Sequence, residues 1–115
     1  MLQKNTMEKR KGKRVELPKT IVVNPGNVCV LVNISKAGLL FKSLSSVVWP
    51  AKWLLDIITI KREFDIEDCP VELVWMKTDH KLIGCSSIML SNVGVRFGAL
   101  DQSQGWKLDY LLSKY

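Results

Sequence analysis

The single histidine, His80, is the only side chain whose unperturbed pKa lies near neutrality, with Asp79 beside it and Cys85, Ser86 and Ser87 a few residues on. A hydrolytic triad would use these residue types. It would also need a nucleophile presented on a sharp turn, and no such elbow precedes the serines, while adjacent residues in a turn point apart. His80 reads as an exposed turn residue. The acidic group Glu63, Asp65, Glu67 and Asp68 has the composition of a divalent-cation or paired-carboxylate site, but it lacks the glycine that a calcium loop requires. Alternation along a strand explains it more simply as a solvated face. There is no phosphate-cradling glycine loop, no dinucleotide fingerprint and no zinc-ligand spacing, so no catalytic residue, metal or cofactor is assigned and a non-enzymatic protein is expected.

The strongest chemical signal is Lys9-Arg10-Lys11-Gly12-Lys13-Arg14, five cations in six residues. Such a run repels itself unless solvated or neutralised by an anion. With Lys4 it gives residues 1–14 six basic side chains against Glu8 alone, a net +5, whereas the other eleven basic and ten acidic side chains leave residues 15–115 at +1. The sequence therefore divides into a flexible, disordered basic arm over 1–14 and a nearly neutral folded body over 15–115. Lys4, Lys9, Arg10, Lys11, Lys13 and Arg14 are the expected contacts to nucleic acid or another polyanion, because counterion release needs no particular fold. An import address or an anionic membrane would use the same charges.

A second constellation is Phe41, Trp49, Lys52 and Trp53. Tryptophans four residues apart beside lysine suit a membrane headgroup zone, and with the arm they would form a two-signal peripheral attachment or a partner contact. They also suit the core-facing side of a helix in a domain this small.

The positioning elements are read from period and punctuation. Asn24-Pro25-Gly26-Asn27 lies between two β-branched runs, with proline presetting φ and glycine accepting positive φ, which predicts a β-hairpin over 17–34. Leu40, Leu44, Val47 and Val48 recur at helical spacing, predicting a helix over 38–49 and a short second turn after Pro50 through Leu55. Ile58, Ile60, Phe64 and Ile66 then alternate with polar residues, predicting a strand over 57–66 with Arg62 as the exception. Strands over 71–77 and 82–90 are expected to flank a polar loop, Thr78 to Lys81, and the bare Gly94 and Gly98 positions of the next strand favour close backbone approach or a bulge. Trp106, Leu108, Tyr110 and Leu112 alternate, predicting a final strand, although Trp106, Tyr110 and Leu111 also share a helical stripe.

The fold expected from this is a small single α+β domain, mainly an antiparallel sheet with one helix packed on it, preceded by the arm. Cys29 and Cys85 fall in apolar runs and Cys69 beside Pro70 in a polar break, so the first two are expected buried and the third more exposed. An unpaired cysteine count, no secretory-type apolar start and no window of about eighteen apolar residues predict an intracellular protein, cytoplasmic or nuclear, without a transmembrane segment. In outline only, a basic arm on a small body resembles viral accessory or matrix-like proteins. The functional expectation is a binding or accessory module whose arm meets nucleic acid while the body associates with a protein partner or a second copy, with a peripheral membrane protein as the alternative.

Overall fold

Thr20–Asn24 (β1) and Asn27–Ile34 (β2) form the expected hairpin, with Gly26 at φ 89° in the turn between them. The computed structural model describes residues 14–17, 20–44, 46–59, 65–83 and 86–114, and the backbone alone of 79–83 and 86–88. Four further strands follow: Gly38–Leu44 (β3), Lys52–Thr59 (β4), Asp65–Ile83 (β5) and Ser86–Phe97 (β6). Every pairing is antiparallel. The order β1-β2-β3-β6-β5-β4 closes on itself because β4 returns to β1 through Thr20↔Thr59 to Val23↔Asp56. Among the described residues the architecture is thus a closed six-stranded barrel followed by one helix, Gln102–Lys114 (α1), rather than the expected antiparallel sheet with one helix packed on it.

Alternation explains why the barrel closes around these residues. Inward positions carry Val22, Cys29, Leu31, Leu39, Phe41, Leu55, Ile57, Ile66, Val93 and Val95, all buried, as expected where interior and exterior residues alternate along each strand. The expected helix over 38–49 is β3 because Leu39, Phe41 and Ser43 point inward on a period of two. Leu40 is also apolar and Ser43 is polar, which blurred that period. Leu44 and Val48, two residues of the helical stripe, are 57% and 91% exposed. The second helical turn through Leu55 is likewise part of β4.

The strand expected over 57–66 is two strands, since Ile58 pairs with Asp65 across a reversal whose residues 60–64 lie outside the described set. The polar loop expected at Thr78 to Lys81 is continuous β5, with Thr78↔Ser91 through Ile83↔Ser86 in register. From His80↔Met89 onward β5 and β6 extend as a two-stranded ribbon beyond the last β3 pair, Leu44↔Leu90, and the last β4 pair, Lys52↔Glu72.

The C-terminal segment is a helix because its start is capped reciprocally. Gln104 N donates to Asp101 Oδ1 at 2.7 Å and Asp101 N donates to Gln104 Oε1 at 2.9 Å, the arrangement of a capping box. Leu108 and Leu111 then fall on one face and are buried, which decides between the two periods. Gln104 Nε2 also donates to the carbonyls of Glu67 (2.7 Å) and Asp68 (2.9 Å), tying the helix to the start of β5.

Cys69, expected to be the more exposed cysteine, is 1% exposed on β5. Burial, followed by the charges of Asp56, Asp101 and Asp68, pushes its thiol up to about 12. In a Cys29→Ser/Cys85→Ser protein, Cys69 should resist a thiol reagent at pH 8 until denaturant is added. Rapid labelling of the folded protein would contradict this burial.

Candidate functional site

Arg14 is the described end of the basic run, and two backbone hydrogen bonds locate it. Val15 N donates to Ile34 O at 2.8 Å and Ile34 N donates to Val15 O at 2.9 Å, so the N-terminal segment lies antiparallel beside the end of β2. Val15 and Leu17, both buried, anchor that segment in the core. Arg14 is thereby held against Asn33, whose Oδ1 accepts from its Nη1 at 2.8 Å. A bulge in β2 between Leu31 and Asn33 pairs Asn33 with Leu40.

After Ile34 the chain turns tightly. Ser35 N donates to Gly38 O at 2.8 Å, and the buried Ser35 hydroxyl accepts from Ala37 N at 3.2 Å. Ala37 O accepts from Phe97 N at 2.8 Å, which seats the turn on the end of β6. A Cβ at Gly38 would stand 2.0 Å from Val95 O and 2.7 Å from Arg96 Cα, so only glycine permits this approach of β3 to β6.

Between the Arg14 segment, this turn and the outer faces of β6 and β5 lies a cleft of about 400 Å³. Trp75 and Arg96 contribute its far wall. A bulge in β5 between Leu73 and Trp75 sets Trp75 opposite Gly94. Its indole lies across that glycine, because a Cβ there would meet Trp75 Nε1 at 2.4 Å. Trp75 is still 45% exposed, leaving much of the indole open to solvent. The cleft thus combines the Arg14 guanidinium, an amide, a half-open aromatic surface and glycine-thinned walls, with the Arg96 side chain along one wall, which suits a planar, anionic ligand.

Of the residues singled out in the sequence, Arg14 lies in this cleft; Lys4, Lys9, Arg10, Lys11 and Lys13 lie outside the described residues. Phe41, Trp49, Lys52 and Trp53 do not form one exposed surface. Phe41 is fully buried, Trp49 meets it edge-on at 5.1 Å between ring centroids, and Trp53 lies 5.2 Å beyond Trp49. Trp49 and Trp53 are partly buried against the core, and Trp53 Nε1 donates to Asn24 Oδ1 at 2.8 Å. Lys52 faces Glu72 at 3.7 Å. His80 stands in β5 opposite Met89, and Cys85 lies outside the described residues. Among the described residues no three His, Cys, Asp or Glu side chains gather as metal ligands, and no helix is long and apolar enough to cross a membrane. Asn33, Ser35, Gly38, Trp75 and Arg96 were not anticipated as site residues. The only advance signal was the bare glycine face near Gly94.

No protein-family model and no curated protein sequence matches the chain. Solved structures do match. The PilZ domain of YcgR from Escherichia coli, solved with c-di-GMP, has a TM-score of 0.68 at 10% identity, over 93% of this chain and 91% of that one. PlzA of Borreliella burgdorferi, in complex with c-di-GMP, has a TM-score of 0.63 at 14% identity, over 98% of this chain and 56% of that one. An uncharacterized Legionella protein has a TM-score of 0.61 at 16% identity, over 89% and 91% of the two chains. The barrel with its C-terminal helix therefore has a PilZ-like fold. The reading of the chain as a viral-type accessory module, with its arm on nucleic acid or a membrane and its body on a protein partner or second copy, is overturned by this likeness. Both ligand-bearing neighbours hold a small cyclic dinucleotide instead.

Proposed function

We propose that this chain is a non-enzymatic c-di-GMP-binding module, with the ligand seated in the cleft between the Arg14 segment and the β3-β6-β5 wall. The observation that carries the reading is Arg14 held by Asn33 at the mouth of that cleft, at the end of a run of cations. c-di-GMP has two phosphodiester charges and two guanines. The guanidinium fork of Arg14 matches either a phosphate or the O6/N7 edge of guanine. Trp75 offers a face on which a guanine stacks. The two ligand-bearing neighbours of the same fold support the choice of ligand.

The test is calorimetric titration of the chain with c-di-GMP and, separately, with GMP. Saturable binding of c-di-GMP is expected, with GMP much weaker because it presents one base and one phosphate. Trp75→Ala should weaken c-di-GMP binding about tenfold, within the roughly 1–3 kcal/mol of base–aromatic stacking. Absence of c-di-GMP binding would overturn the proposal, and unchanged binding by Trp75→Ala would remove the stacking role.

A further inference from the structure

Gly38, Arg96, Glu72 and Lys52 form one row across the barrel, each directly opposite the next on β3, β6, β5 and β4. Directly opposed residues in antiparallel strands project from the same face, so the three side chains are immediate neighbours. Arg96 donates from Nε to Glu72 Oε1 and its Nη2 pairs with the same carboxylate, while Lys52 Nζ stands 3.7 Å from Glu72 Oε2. On the other flank of Arg96 is Gly38, which has no side chain, and beyond it the cleft that Arg14 also lines. Arg96 therefore has two places to put its charge: against Glu72, or across the bare glycine into the cleft.

We infer that Glu72 sets the affinity of the cleft by holding Arg96, and that a bound phosphodiester draws Arg96 away from it. This rests on the c-di-GMP reading and adds to it an internal competitor for the ligand. The Arg96 side chain is 67% exposed, and exposed ion pairs are weak enough for a phosphate to displace one partner. Lys52 remains beside Glu72 after the exchange, so the carboxylate is not stranded. Its hydrogen bond from Arg96 holds the Glu72 carboxyl below the usual range, so it is charged and competing at neutral pH.

The experiment is c-di-GMP titration of the full chain and of Glu72→Gln, Arg96→Ala, the double variant and Glu67→Gln, which removes an equal charge from outside the cleft. Glu72→Gln should bind about two- to fivefold more tightly, matching release of a weak surface pair. Arg96→Ala should bind about fivefold more weakly, the double variant should equal Arg96→Ala, and Glu67→Gln should equal the unsubstituted chain. If the chain binds but Glu72→Gln does not improve it, or the improvement survives without Arg96 or appears equally in Glu67→Gln, the inference fails and the c-di-GMP reading stands. If the unsubstituted chain does not bind c-di-GMP, both fall.

Discussion

Replacing Arg14 with alanine is expected to weaken c-di-GMP binding by about ten- to a hundredfold while hardly moving the thermal unfolding midpoint. The size follows from hydrogen bonds to charged groups, each worth roughly 1.5–3 kcal/mol. The stability expectation follows from position: Arg14 is exposed, and its bond to Asn33 is on the surface. The anchoring of the segment lies one residue later, in Val15 and its two backbone bonds to Ile34, which the substitution leaves in place. Arg14→Lys should fall between, since lysine keeps the charge but loses the planar fork. Titration of the three proteins alongside melting curves checks this. Equal affinity for Arg14→Ala and the unsubstituted chain would remove Arg14 from the site.

Gly38→Val should be the most destructive substitution near the cleft. Its first added carbon would overlap Val95 O at 2.0 Å, and both nearest neighbours are backbone atoms of β6, which cannot rotate away as a side chain would. Relief requires β3 and β6 to separate where Gly38 pairs with Arg96, opening the barrel seam that carries the cleft. Overpacking costs about 1–3 kcal/mol when side chains can move, so about 3 kcal/mol or more is expected here. Gly105→Ala is the contrasting case. A Cβ there meets nothing within 4 Å, and the residue lies inside α1, so the change should stabilise by up to about 1 kcal/mol. Denaturant unfolding separates the two, and a Gly38→Val protein as stable as the unsubstituted chain would contradict the close approach.

Local chemistry was the part of this molecule legible in its sequence. The Pro25-Gly26 turn forms because its preferences are set within four residues, and the basic run ending at Arg14 was visible as a concentration of charge. The cleft was not legible, because its walls come from residues near 14, 33–40, 74–75 and 94–96, which only the barrel brings together. Gly94 was half-readable: its bareness signalled close approach, but the neighbour is the Trp75 indole delivered by a bulge, not backbone. Barrel closure was hidden for a related reason. The β1–β4 pairing that seals it joins segments more than thirty residues apart, and a two-faced apolar strand such as β3 imitates helical spacing. The helix was misread in the opposite direction, its alternating apolar residues outweighing the Asp101–Gln104 capping pair that begins it.

Where c-di-GMP sits on the barrel distinguishes this cleft from every other surface. Amide and indole chemical shifts of the isotopically labelled chain, followed through a c-di-GMP titration, measure this. The largest changes are predicted at Asn33 through Gly38, at Gly94 and at the Trp75 indole N–H, with the Trp53 indole, bonded to Asn24 inside the aromatic cluster, unmoved. Changes centred on Trp49 and Trp53, or none at any ligand concentration, would contradict it.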